Sequence, residues 1–181
     1  MLSPRLDSLG VRPLETGDAA ELHALVEANR AHLARWMPWA ATQDPDGTER
    51  FLAEAEAQYA RDDGFQAKVA PEGEIVGVVG FHSIDWINRN TSLGYWLAAE
   101  AQGQGTMTTV VGSLLDHAFY EWELHRVEIH CAPGNAPSRA IPERLGFREE
   151  ALLRETELID DGYLDSVVYG LLEQEWGSRP T

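Results

Sequence analysis

Three features of the 181-residue chain predict a single α/β domain on a mixed, mostly antiparallel sheet of about six or seven strands, with helices on both faces. The first is a set of three strand-like runs, residues 65–70, 75–85 and 90–97, separated by turns too short for anything but antiparallel neighbours. The second lies in the middle run, Ile75-Val76-Gly77-Val78-Val79-Gly80-Phe81, which is apolar at both parities and so calls for cover on both faces. The third is the helical stripe Met107, Val110, Val111, Leu114, Leu115, Ala118, Phe119 and Trp122, spaced i, i+3, i+4, i+7 and onward to i+15.

Taken in order, residues 9–14 read as a first strand. Asp18 opens a helix with Leu22, Leu25 and Val26 on one face. A break over 31–41 contains Trp36-Met37-Pro38-Trp39, and 42–47 reads as a turn-rich loop. Thr48 is expected to cap the second helix, whose face is Phe51, Leu52, Ala55 and Tyr59 and which ends at Asp62-Asp63-Gly64. After the three central strands comes the helix of the long stripe, expected to run unbroken to Trp122. Then follow a strand at 126–131, a short helix at 137–145 closed by Gly146, and a hairpin of 149–159 and 163–172 around Asp160-Asp161-Gly162. The expected domain is the whole chain, 1–181, with its core at about 9–174 and a loose tail at 177–181.

Composition excludes several classes. Apolar residues make up 44% of the chain, enough for a real core. With 14 Lys and Arg against 30 Asp and Glu, the net charge is −16, which argues against nucleic acid as a partner. An acidic field instead concentrates amines and basic peptides, although charge held for solubility would look the same. Cys131 is the only cysteine, so no intrachain disulfide forms, and a cytoplasmic protein is expected. The N-terminus lacks the apolar stretch of a signal peptide, and no apolar run reaches the roughly 18–20 residues that span a bilayer, so no membrane segment is expected. Metal binding is not expected either. His125 and His130 flank one strand with Cys131, but no helical His pair or Cys-x-x-Cys accompanies them.

The chemistry concentrates where residues 94–107 join a strand end to the start of the long helix. The first amides of a helix lack intrahelical partners, and the macrodipole adds about half a positive charge there. Such an end suits phosphate, and Gly103 and Gly105 remove the Cβ atoms that would hold a diphosphate off the backbone, unless they serve only a tight turn. Neither a P-loop nor a dinucleotide fingerprint fits, because 106–108 read Thr-Met-Thr, without lysine and without a third small residue.

Here the chain resembles the GCN5-related N-acetyltransferases (GNAT), whose signature at this junction is Gln/Arg-x-x-Gly-x-Gly/Ala. Gln102-Gly103-Gln104-Gly105-Thr106-Met107 matches its first four positions and carries Met at the sixth. The branch of RimL/RimJ-like ribosomal-protein N-acetyltransferases is similar in more places: Gly94-Tyr95-Trp96-Leu97, Asn135-x-x-Ser138, Leu145-Gly146-Phe147, Asp161-Gly162-Tyr163 and Val168-Tyr169. The resemblance runs over about 9–174.

This resemblance implies an acetyl-CoA-dependent transfer of acetyl directly to a primary amine. The acceptor it implies is the N-terminal α-amine of a protein, a ribosomal one as in that branch. It implies that the diphosphate sits on the loop Gln102 to Met107 and that the pantetheine arm pairs as an extra strand with Tyr95, Trp96 and Leu97. A backbone amide of that strand would polarise the thioester carbonyl. The site would lie where this strand and the one at 126–131 splay apart. Asn135 and Ser138 match the branch's Asn-x-x-Ser, which makes Ser138 the expected catalytic residue at the CoA sulfur and Asn135 its companion; Asn135 is equally suited to cap a helix and Ser138 to occupy its first turn. Many members place a tyrosine acid where this chain has Pro142, which moves that role to Ser138, as hydrogen-bond donor to the departing thiolate or as proton relay.

No general base stands out. An α-amine of pKa about 7.8 is roughly 14% neutral at pH 7 and a lysine under about 0.1%, so the missing base favours an α-amine. Trp36, Trp39 and His82 are the expected acceptor-binding residues, with Trp86 beyond them, though buried tryptophans and strand histidines are commonly structural. Two other readings stay open: a small amine such as a polyamine or aminoglycoside as acceptor, and a non-catalytic acyl-CoA-binding module on the same fold. Self-association through the last hairpin, giving a homodimer, is implied by family analogy alone.

Overall fold

The computed structural model describes residues 4–159 and 162–178. Seven strands form one sheet in the order β1-β2-β3-β4-β5-β7-β6. They are β1 Val11–Pro13, β2 Phe65–Val69, β3 Gly77–Phe81, β4 Asn90–Leu97, β5 Arg126–Cys131, β6 Arg148–Ile159 and β7 Gly162–Leu172. Every neighbouring pair is antiparallel except β4–β5, which is parallel. The mixed, mostly antiparallel sheet is the expected architecture.

The strand of double-parity apolar residues, β3, is buried along its whole length. On one face Val79 and Phe81 pack with Met107, Val110 and Leu114 of helix α5, Thr106–Asp116. On the other, Ile75 and Val78 meet Leu22 of α2 (Ala19–Leu33) and Leu52 and Ala55 of α4 (Pro45–Ala60). Two short helices, α1 (Pro4–Ser8) and α3 (Trp39–Thr42), were not legible from periodicity, though Leu6 is fully buried. Helix α6 spans Ala136–Arg144 and α7 spans Glu173–Gly177. Gly177 thus closes a helix instead of beginning a loose tail, and residues 179–181 of that expected tail lie outside the described residues. So does most of the Asp160-Asp161-Gly162 turn.

Three local expectations are corrected. The second helix is capped by Asp44, whose carboxylate accepts from the Gly47 amide at 2.6 Å, with Pro45 in the first turn, where a missing N–H costs nothing. Thr48 lies inside that helix and is buried. The strand expected at 75–85 covers only Gly77–Phe81: past it the Ile84 amide donates to Asp63 Oδ1 at 3.0 Å, and the Asp85 carboxylate gathers the amides of Ile87 and Asn88 at 3.0 and 2.9 Å in the turn before β4. The long helix does not run unbroken: after Asp116 it widens into a π-turn over His117–Glu121, where Trp122 N–H bonds His117 C=O at 3.1 Å. The extra residue turns Trp122 into an aromatic cluster, with ring centroids 4.6 Å from His117 and 5.1 Å from Phe81.

Candidate functional site

Strand β4 runs along β3 for its whole second half, but it meets β5 only at Asn90, Thr91 and Ser92. Beyond Ser92 the two parallel strands part, as the family resemblance implied. Ser92 C=O accepts from His82 N–H at 2.9 Å, and Ala98 N–H donates to Val76 C=O at 2.8 Å. Backbone groups alternate sides along a strand, so those of Leu93, Tyr95 and Leu97 face away from β3 into the gap. This open edge is one wall of a cleft of about 990 Å³.

The glycine turn closes one end of that cleft. Gly103 and Gly105 have φ of +76° and +80°, and a Cβ added at either would meet nothing within 4 Å. Gly105 is the N-cap of α5 and provides no side chain, so among the described residues no side chain caps the first amides of the helix. The approach to the turn is held from a distance in sequence: Asn29 Oδ1 accepts from Ala99 N–H at 2.9 Å, and Gln102 Nε2 lies 2.9 Å from His32 Nε2. Gln104 and Thr106 are not buried beside it, whereas Met107 combines a place on the cleft wall with burial in the core.

Across the gap, α6 brings Ser138 to Tyr95 for a reason visible in the helix itself. Pro142 sits inside α6 and has no N–H, so the Ser138 carbonyl one turn earlier loses its intrahelical donor. The Tyr95 hydroxyl supplies it, donating to Ser138 C=O at 2.9 Å. Ser138 Oγ then stands 3.5 Å from the Tyr95 oxygen and 3.2 Å from Cys131 Sγ. Burial pushes the Tyr95 phenol far above its ordinary range and also raises the Cys131 thiol, so both stay protonated near neutral pH. Asn135 caps α6, its side-chain oxygen accepting from Ser138 N–H at 3.3 Å.

The expected acceptor residues fall in different places. Trp36 lines the cleft and packs over Gly134, where an added Cβ would lie 3.3 Å from the indole. Trp39 and Trp96 share the opposite face of β4, their centroids 6.1 Å apart, which directs the Trp96 side chain away from α6. His82 rests on the bare face of Gly94, where an added Cβ would stand 3.1 Å from its ring, and its Nδ1 lies 2.8 Å from Ser92 Oγ. Partial burial, followed by the nearby His130, lowers its pKa from the usual histidine value. Trp86 lines neither this cleft nor the smaller pocket beside it: its indole N–H donates to Asp62 C=O at 3.0 Å and its ring meets Trp122.

Two carboxylates escaped the sequence reading. A register shift between Leu153 and Glu157 breaks the β6–β7 ladder, with Glu155 at φ 55° and its amide bonded to Asp165 Oδ1 at 2.9 Å. Thr156, Glu157 and Asp165 consequently line the cleft. No glycine or proline marks that bulge. Among the described residues no group of three or more His, Cys, Asp or Glu is arranged to hold a metal ion, and no helix is long and apolar enough to cross a membrane.

Comparison with known proteins agrees with this geometry. Residues 8–148 match the family model described as "Acetyltransferase (GNAT) domain". YdaF of Bacillus subtilis, whose name carries a provisional ribosomal N-acetyltransferase assignment, is 36% identical over 172 residues, 94% of each chain. A spermidine N(1)-acetyltransferase of Vibrio cholerae is 27% identical over 173 residues, 94% of this chain and 96% of its own. Among solved structures, RimL, a ribosomal-protein α-N-acetyltransferase in complex with coenzyme A as a CoA–cysteine disulfide, superposes with a TM-score of 0.85. Its identity is 26%, over 90% of this chain and 92% of its own. An open strand edge ending in a glycine turn, on this strand order and with these matches, makes the chain a member of the GNAT family and an acetyltransferase of that type.

Proposed function

We propose that the protein transfers the acetyl group of acetyl-CoA to the N-terminal α-amine of a polypeptide, a ribosomal protein being the acceptor its relatives point to. The observation that carries this is one cleft lined both by anion-binding and by cation-binding groups. Its lining includes the glycine turn and the uncapped start of α5, and also Arg35 and Arg144. Most other basic side chains of this acidic chain are tied to carboxylates, while these two are in no ion pair among the described residues. The amides of the turn and these guanidinium groups suit the phosphates of a coenzyme. The same cleft is lined by Glu157 and Asp165, which suit an ammonium group.

In this reading the amides of 103–108 hold the diphosphate, and the free edge groups of Leu93, Tyr95 and Leu97 pair with the pantetheine amides. The bound co-substrate provides an activated thioester acyl group. Ser138 is the catalytic residue, its hydroxyl donating to the sulfur as the thiol departs. Tyr95 positions it through the carbonyl that Pro142 leaves free. Asn135 is a cap that holds the helix start in place, and His82, Trp36 and Trp39 contact the acceptor. His82, deprotonated near neutral pH, can take the proton of the ammonium directly or through water. Pairing of two copies through the β6–β7 hairpin belongs to the same reading, supported by exposed Leu152, Leu158 and Tyr163; light scattering would report the mass.

A specific observation keeps a second acceptor in view: two carboxylates at the cleft suit a polyamine, and the spermidine-acetylating relative spans nearly the whole chain. Mass spectrometry of a peptide library and a polyamine panel, each incubated with enzyme and acetyl-CoA, separates the two. Acetylated peptide N-termini are expected, and acetylation of polyamines alone would overturn the proposal. With a good acceptor, Ser138→Ala is expected to lower kcat by roughly 10²-fold or more, and unchanged turnover would remove Ser138 from its role.

A further inference from the structure

A second cavity of about 370 Å³ lies beside the cleft, on the α2–α4 side of β4. Met37, His82, Gly94, Tyr95 and Trp96 line both this cavity and the main cleft, so the two spaces are neighbours across β4 beside the proposed reaction centre. Its walls are the side chains of Leu22, Val26, Trp39, Phe51, Val78 and Trp96. Trp39 and Phe51 are 40% and 38% exposed, unusual for rings of that size, and both stand in this cavity. The polar groups along it are engaged with the protein. Gln66 Nε2 donates to Phe81 C=O at 3.2 Å, Gln43 Nε2 to Thr48 Oγ1 at 3.4 Å, and Thr48 Oγ1 to Asp44 C=O at 3.2 Å. What the cavity offers a visitor is mainly apolar surface, with these amide and hydroxyl donors already engaged.

We propose that this cavity is the specificity pocket for the acceptor, and that it takes a bulky apolar side chain, of leucine to phenylalanine size, borne by the residue that carries the reacting amine. The shared wall argues for the occupant: a group placed in this space from the reaction centre would pass His82 and the bare face of Gly94, which suits the side chain of the residue that bears the amine. The inference rests on the reading that the acceptor is an α-amine, and it narrows that reading from any N-terminus to one with a large apolar first residue. A polyamine has no such branch and leaves the cavity empty. Burying a side chain of this size is expected to raise kcat/KM over a glycine acceptor by roughly 10- to 100-fold.

The test uses the full chain, acetyl-CoA and peptides differing only in their first residue: Gly, Ser, Leu or Phe. Leu and Phe are expected to exceed Gly in kcat/KM by that factor. Phe51→Ala, at a half-exposed ring where folding is not in question, should collapse the ratio several-fold, and Phe51→Trp should penalise Phe more than Leu. Equal kcat/KM across the four peptides, or an unchanged ratio in Phe51→Ala, overturns the pocket assignment. If no peptide is acetylated and polyamines are, the α-amine reading fails instead. The pocket is then judged separately by the tryptophan fluorescence change on adding phenylalaninamide against glycinamide. A phenylalaninamide-specific change that Trp39→Phe abolishes upholds it, and identical responses overturn it.

Discussion

Tyr95→Phe is the sharpest probe of how this site is held together. It removes the hydroxyl that donates to Ser138 C=O at 2.9 Å, and the carbonyl cannot find its helical partner because residue 142 is a proline. Leaving a buried acceptor unsatisfied costs about 1–3 kcal/mol; Ser138 is only half-buried, so the lower part of that range, about 1–2 kcal/mol, applies. For a domain of this size that is a fall in Tm of roughly 2–8 °C. Pro142→Ala restores an N–H that can take over the Ser138 carbonyl, so in that background Tyr95→Phe should cost much less, with a coupling of about 1 kcal/mol in a double-mutant cycle. Urea denaturation of the four proteins measures it. If Tyr95→Phe costs the same with and without Pro142, the proline-freed carbonyl is not what the tyrosine serves, and the account of how Ser138 is positioned fails.

Gly105→Ala forces a side chain into φ +80° and is expected to cost about 1 kcal/mol while weakening coenzyme A binding by roughly tenfold or more; calorimetry with unchanged affinity would count against the glycine turn as the diphosphate site. Arg144→Gln, at an exposed guanidinium in no ion pair, should weaken coenzyme A by a factor of about 2–5 and flatten the salt dependence of its Kd. His117 is buried, and desolvation, partly offset by Glu121, lowers its pKa below the unfolded value near 6.5. The unfolded chain therefore binds the proton more readily: stability is fully present above pH 6.5 and is lost as the pH falls below it. His117→Phe, which keeps a ring in the aromatic cluster, should remove that part of the decline, visible as a shallower drop in urea midpoint between pH 6.5 and 5 relative to the unchanged protein.

The parts of this molecule that follow local rules were readable directly. The stripe from Met107 to Phe119 is buried as spaced, β4 and β5 have the expected bounds, and Gly103 and Gly105 stand in the expected turn before the helix, both with positive φ. Where two local signals competed, the stronger had to be recognised. Asp44 followed by Pro45 outranks Thr48 as a helix start because proline in the first turn leaves only the Asp44 side to be capped. The π-turn over His117–Glu121 leaves no mark in the apolar spacing, because Ala118 and Phe119 within it still fall on the helical intervals of the stripe.

Residue identity alone determined the fold class, the family signature and the acidic character of the chain, since periodicity, turn chemistry and charge are properties of neighbours along the backbone. Tertiary structure decided what surrounds the reaction: Tyr95 reaching Ser138 from 43 residues away, His32 meeting Gln102 from 70 away, His82 lying on the face that Gly94 leaves bare, and a strand bulge bringing Glu157 to the cleft. Each of these depends on how two distant segments pack, and the free energy that brings them together comes from a core assembled by the whole chain, so no window of sequence contains it.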